Sequence, residues 1–414
     1  MRVRTVPVGV VGAGLAILVL IGAVAGAWRR SNDPAPSAMD PRPASVPTGP
    51  GGIALPGERY AEDVRYVLSP EQIPAIDEPR FARVASTSLP QEEPVLSVEI
   101  DGQARAYPIR YLLFHEIVND ELGGTPLAVT YCPLCNTGVV FERPTIRGEV
   151  LSFGVSGLLL HSNLVMVDRE TGSLWSQVLG EAIGGELEGR RLEILPAQTV
   201  SWGDWAAAHP RGLVLQPPSF APLGPKTGAI PPYGLNPYRG YDRGERPPLF
   251  RGSIDRRLPA LARVLGIRTG RDALAVPFAL LERRAVGGWS ALEVGPGGDP
   301  IVVFWHAGTV SAVDAPLLTD SRDVGAAGAF LPLIDGERLR FVATRGGIVD
   351  RETRSTWSIV GIATAGPLEG ARLEAVLAID SFWFDWAAFH PQTRIARGGG
   401  SLPDGISTGS ATRR

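Results

Sequence analysis

The chain has 414 residues, 44% of them apolar and 20% charged, with a net charge of -3. That length makes room for about two domains of roughly 100 to 200 residues each, and the near-neutral balance without a basic run argues against a nucleic-acid partner. Only two cysteines, three methionines and five histidines occur, so few side chains can serve as soft ligands or nucleophiles.

Residues 6–28 form an uncharged, apolar run of 23 residues. As a helix such a run reaches about 34 Å, enough to cross a bilayer. Arg2 and Arg4 precede it and Arg29 and Arg30 follow, so charge leans only slightly toward an inside N-terminus. Ala23-Val24-Ala25 offers the rival pattern of a signal-peptidase site. On either reading, residues 1–30 are a transmembrane anchor or signal peptide. The bulk of the chain is then extracytoplasmic, membrane-anchored or secreted. Residues 31–57, rich in Pro, Ala, Ser and Gly, read as a flexible linker.

Beyond the linker the sequence repeats itself. Residues 168–175 read Asp-Arg-Glu-Thr-Gly-Ser-Leu-Trp, and residues 350–357 read Asp-Arg-Glu-Thr-Arg-Ser-Thr-Trp. Residues 187–193 resemble 368–374, and residues 202–210 resemble 383–391, both with Trp-x-Asp-Trp before a His-Pro. The first repeat unit covers 58–215 and the second 263–395. Each predicts short strands (95–100 and 263–268), then a helix opened by proline. In the first unit Ile109, Leu112, Leu113 and Ile117 make the apolar face of that helix. Several strands separated by Gly and Asp turns follow. A short helix with paired tryptophans closes each unit at His-Pro, where proline stops it. The sum is an α+β, β-rich fold, two diverged copies forming a two-lobed body. A Pro/Gly/Tyr-rich connector over 216–262 joins them, and a disordered tail spans 396–414. Tyr233, Tyr238 and Tyr241 argue that the connector packs on the body, as a lid over a site or as a plain connector.

The duplication acts as a filter: what both copies hold is expected to be scaffold. His209 and His390 end equivalent helices, and each Asp-Arg-Glu-Thr turn reads as a charged turn locked on a buried indole. Three features belong to the first copy alone. Cys132-Pro133-Leu134-Cys135 stands where the second copy has His306-Ala307-Gly308-Thr309. The 16 residues of 153–168 face 10 in 341–350, with the excess around 156–163. His115 faces Arg284. These differences point to one site in the first unit.

Both cysteines lie in that C-x-x-C. Turn and strand follow it rather than a helix, which argues against a thioredoxin architecture. A redox-active dithiol remains open, with Cys132 as attacking thiolate, Cys135 as resolving thiol and His115 tuning their ionisation. So does a copper or zinc site built from Cys132, Cys135, His115, His161 and Met166, on a knuckle-like loop. The third reading is a non-catalytic scaffold with a structural disulfide, although so short a loop is a poor staple. A hydrolase is disfavoured, because Gly154-Val155-Ser156-Gly157-Leu158 lacks the second glycine of a nucleophile elbow.

His115-Glu116-Ile117-Val118-Asn119-Asp120, Tyr131-Cys132-Pro133-Leu134-Cys135-Asn136-Thr137 and Phe153-Gly154-Val155-Ser156-Gly157 resemble the domain-of-unknown-function 3179 family. Asp168-Arg169-Glu170-Thr171 and Asn236-Pro237-Tyr238-Arg239-Gly240-Tyr241-Asp242 extend the resemblance over about residues 60 to 395. It implies family membership and includes His115 in its motifs. It carries no settled activity, and the redox or binding partner stays open.

Overall fold

Residues 94–108 alternate in a period of two and fold as an antiparallel hairpin, Pro94–Ile100 with Gln103–Pro108, Leu96 lying opposite Tyr107. Its two-residue turn places Asp101 and Gly102 at φ 49° and 73°, the left-handed pair that matches the twist of the strands. Ala197–Ser201 lines the outer edge of the first strand, antiparallel, and Leu213–Leu215 adds to the second strand in parallel. The second half builds the same scheme. Arg263–Thr269 pairs with Asp272–Pro277, Ala378–Phe382 lines the outer edge, and Arg394–Ile395 adds in parallel. The computed structural model describes residue 49 and residues 52–218, 233–270, 272–295 and 300–397. The expected anchor or signal segment over 1–30 and nearly all of the expected tail lie outside the described residues. Among the described residues, no helix is long and apolar enough to cross a membrane.

Sheets dominate and helices are short, so the fold is α+β and mostly β. Pro108 and Pro277 cap the helices Ile109–His115 and Phe278–Arg283. Ile117, expected on the apolar face of the first helix, begins the next strand instead. Glu116 takes a left-handed conformation (φ 58°) and ends the helix one residue earlier. The tryptophan helices, Trp202–Ala208 and Trp383–Phe389, stop where expected. His209 and His390 bond through their backbone amides to Trp205 and Trp386 and lay their rings against those indoles.

Two sequence expectations change. The lobes do not keep separate cores. One cluster joins Val95, Val200, Trp202 and Trp205 of the first half to Val302, Phe304, Phe330 and Trp357 of the second. Another carries Ile379, Phe382 and Phe384 into the first half, among Val129, Val139, Cys132 and Cys135. Secondly, residues 52–57 are not free spacer. Ile53 and Ala54 are buried, Pro56 bridges to Gly184, and Gly57 bonds to Ile183 O. Two apolar side chains with a sheet edge to cover are enough to pin that end of the linker. The described part of the connector is packed, in line with its tyrosines, with Tyr238, Tyr241 and Phe250 buried.

The hairpin Phe153–Leu160 with Asn163–Asp168 is longer than its counterpart, Phe341–Thr344 with Gly347–Asp350. A bulge between Val155 and Leu158 bends the longer one. Gly157 sits there at φ 79°, and its carbonyl accepts from both Val67 and Leu68 amides. A Cβ at 157 would stand 2.2 Å from Leu68 O, so only glycine fits.

The Asp-Arg-Glu-Thr turns work as expected. Asp168 accepts from Thr171 N and Oγ1 and from Trp175 Nε1 at 2.8 Å. Asp350 does the same with Thr353 and with Trp357 Nε1 at 3.0 Å. Removing either carboxylate strands a buried indole N–H and two turn donors. Asp168→Ala and Asp350→Ala are each expected to lower the unfolding free energy by about 1–3 kcal/mol, measured by urea denaturation.

Candidate functional site

The Cys132–Cys135 turn joins Thr125–Cys132 to Thr137–Glu142, an antiparallel pair rich in β-branched and aromatic residues. The chain reverses because Cys135 N bonds to Cys132 O at 3.2 Å and Asn136 accepts a left-handed conformation, φ 56°. Asn136 Oδ1 takes the Tyr131 hydroxyl proton at 3.1 Å. A buried polar ladder fixes the strand behind. Thr137 Oγ1 donates to Gln177 Oε1 and receives Asn163 Nδ2, while Gln177 Nε2 donates to Thr130 Oγ1 and Thr137 O.

Both cysteines are free thiols, 2% and 0% exposed. They share one acceptor: Ser162 O lies 3.7 Å from Cys132 Sγ and 3.3 Å from Cys135 Sγ. The insertion unique to the first half thus reaches the thiols, but through the backbone of Ser162 at the hairpin tip rather than through His161. A carbonyl oxygen receives S–H protons and repels thiolates, so the contact favours the thiol form of Cys135. Burial, the neighbouring Cys132 thiol and the Asp385 carboxylate push the Cys135 thiol well above its ordinary range.

The second half supplies the other wall. Phe382 N donates to Cys135 O at 2.9 Å. Asp380, ion-paired with Arg263, lies beside the Asn136 side chain. Asp385, on the helix Trp383–Phe389, is fully buried. Its Oδ2 accepts from Ser381 Oγ at 2.8 Å, and Cys135 and Asn163 flank the same carboxylate. Burial raises its pKa to about 6. Asp385 belongs to a motif that both halves share, so reading shared residues as scaffold passed over it. The first half's counterpart, Asp204, meets the equivalent loop of the second half in the same crossed manner. Asp204 Oδ2 lies 2.8 Å from His306 Nδ1, and the His306 ring stacks 3.6 Å from that of Trp289.

The remaining candidates are dispersed. His115 is buried with both ring nitrogens committed, Nδ1 to Pro74 O at 2.8 Å and Nε2 to the Tyr233 hydroxyl at 2.7 Å. Burial lowers its pKa to about 4, so it stays neutral and fastens the connector instead of tuning a thiol. His161 stands 3.9 Å from Asp63 and packs on Phe250 and Phe389. Met166 is a core residue paired across the sheet with Val155 and Trp175. The expected ligand set is therefore not assembled. Among the described residues, no three His, Cys, Asp or Glu side chains are grouped to hold a metal ion.

Two further groups adjoin the thiols. Tyr238 and Tyr241, brought in by the connector, are buried, and burial together with the nearby sulfurs keeps both phenols protonated. Glu116 binds Tyr131 N through its carbonyl at 2.8 Å, one residue before Cys132. With Leu134 and Tyr238 it lines a mainly apolar cleft of about 40 Å³, and burial raises its pKa to about 8.

The family profile described as "Protein of unknown function (DUF3179)" matches residues 70–393. The chain belongs to this family. The DUF3179 match takes in the thiol turn, the connector and Asp385 alike. No curated protein and no solved structure is detectably similar to the chain.

The carboxyl groups set a pH dependence. Glu116 has an ordinary pKa of 4.5 when unfolded and about 8 when folded. An acid raised on folding contributes stability below its unfolded pKa, and that contribution is lost as pH rises through its folded value. The contribution of Glu116 to the unfolding free energy is therefore expected to fall between about pH 5 and pH 8, opposite in sign to that of His115, whose pKa is lowered on folding. Glu116→Gln should flatten the fall, as read from denaturation midpoints across that range.

Proposed function

We propose that this DUF3179 protein is a dithiol–disulfide redox protein, with Cys132 and Cys135 as the exchanging pair. The observation that carries the reading is the single Ser162 carbonyl accepting from both thiols, which keeps two reduced sulfurs side by side. Beside them lies a buried carboxylate, Asp385, whose proton affinity suits exchange near neutral pH. The Cys132 sulfur is the less buried of the two, its residue 2% exposed against 0% for Cys135. It is the first sulfur to react, and the deeper Cys135, against Asp385, resolves. As Cys135 attacks, Asp385 takes its proton.

The two halves descend in this reading from one duplicated unit, supported by the repeated motifs and the shared pairing scheme of the two hairpin sheets. One copy kept or gained the thiols. The chain works outside the cytoplasm, anchored or exported by its apolar residues 6–28, where a dithiol has oxidising partners.

The test is equilibration of the full-length protein in glutathione buffers, with thiols trapped and counted by mass. A reversible two-electron transition with a midpoint above about -300 mV marks a working redox pair. A lower midpoint, or thiols that never pair, would leave a structural role only. Cys135→Ser is expected to trap mixed disulfides on Cys132, whereas Cys132→Ser should trap none on Cys135.

A further inference from the structure

We propose that the groove between the two halves binds a short extended peptide through its backbone, with the peptide's amino terminus at Asp101. The groove is independent of the dithiol reading, and no cysteine lines it. It holds about 290 Å³ and opens to solvent. Sites for small ligands run from about 300 to 1,000 Å³, so the guest is small. The first half contributes the hairpin turn at 99–102 and residues 196–198, and the second half contributes residues 327–330, 372–376 and 378.

Two of these walls are open sheet edges. Ala326–Phe330 pairs on one side with Ile301–His306 and is the last strand of its sheet. Its other side meets the chain at a single bridge, where Ala329 O accepts from Val376 N and Leu331 N donates to Glu374 O. In an antiparallel strand the N–H and C=O of one residue share a side, and the sides alternate. Ala329 therefore faces away from Ile301–His306, and so does Ala327. Ala327 N–H and C=O and Ala329 N–H have no partner among the described residues, although the two residues are only 3% and 4% exposed. Ala378–Phe382 is likewise outermost in its sheet. Phe382 N turns away from Arg263–Thr269 to reach Cys135 O, so the backbone of Ala378, four residues earlier, faces the same way. That edge already takes a backbone partner at one end. In the first half the corresponding strand, Thr137–Glu142, is covered, because Ile194 and Leu195 pair with Phe141 and Val140. The second half stops one pair short, at Phe330 with Ala375.

Unpaired strand edges recruit another extended chain. Donors and acceptors that alternate along an edge are matched by a guest with the same alternation, which a peptide backbone supplies. The walls call for small side chains, since Ala197, Ala329, Ala375 and Ala378 keep the space open. At Gly328 a Cβ would stand 2.5 Å from Gln198 Nε2, so glycine lets Gln198 lie across the floor and bond to Ile359 O at 3.2 Å. Charge sets the direction. Arg372 Nη1 ties Glu99 across the halves at 2.6 and 2.7 Å. Asp101 is exposed at the turn and has no ion pair among the described residues, so the wall keeps one free negative charge for an ammonium group.

The experiment titrates tetra-alanine amide into the full-length protein by calorimetry, and saturable one-to-one binding is expected. N-methylation of the peptide's internal amides, acetylation of its amino terminus and the substitution Ala375→Trp, at an exposed position on the groove, should each weaken binding by about 10-fold. Asp101→Asn keeps a residue that tolerates the left-handed turn and should erase the difference between free and acetylated peptides. Equal affinity for plain and N-methylated peptides overturns backbone pairing, a result that needs no variant. Equal affinity for free and acetylated peptides overturns the placement of the amino terminus at Asp101. No saturable binding, or binding left intact in an Ala375→Trp protein of unchanged melting temperature, overturns the site itself.

Discussion

The grip of the second half on the Cys132–Asn136 turn is the contact on which the site depends. Phe382 N holds the Cys135 carbonyl, Asp380 lies beside Asn136, and Asp385 faces the Cys135 sulfur. All three come from one strand and the helix that follows it. A turn with a left-handed Asn136 and two adjacent thiols gains little from its own geometry. Its position is imposed from outside, by a strand whose Phe382 sits in the first half's core. The same burial that fixes the turn removes water from the sulfurs, and every electrostatic effect there grows as a result.

That environment favours neutral forms. Ser162 O and Asp385 both disfavour a thiolate, and Glu116 and the two connector phenols are held in their protonated states. The site therefore stores protons beside sulfur, and any oxidation must dispose of them in step with electron movement. A thioredoxin-like site lowers a thiol pKa with a helix N-terminus. Here a carbonyl and a carboxylate do the opposite to Cys135.

Much of the scaffold was legible because local rules suffice for it. The period-two runs at 95–100 and 263–268, proline before the helices and His-Pro after the tryptophan helices each leave their mark within a few residues. The thiol turn and the longer hairpin around 156–163 stood out when the first half of the sequence was set against the second. Asp385 was not. It meets Cys135 only because the halves exchange surfaces, and it belongs to a Trp-x-Asp-Trp motif that both halves carry. His115 misled for the converse reason. It is particular to the first copy, yet its rarity reflects a tie to Tyr233 in the connector, a contact that no spacing rule encodes. The packing of 52–57 escaped notice because Pro and Gly around Ile53 and Ala54 hide a short apolar anchor.

The Asp204–His306 contact gains meaning beside the Asp385–Cys135 one. Each tryptophan helix sends its aspartate into the loop of the opposite half, so the halves are arranged as partners in a symmetric pair would be. Two identical chains related by a two-fold axis cannot alter one such loop without altering the other. A single continuous chain can. Joining the halves covalently frees the two positions from each other, so that one loop can carry sulfur while the other carries an imidazole stacked on Trp289.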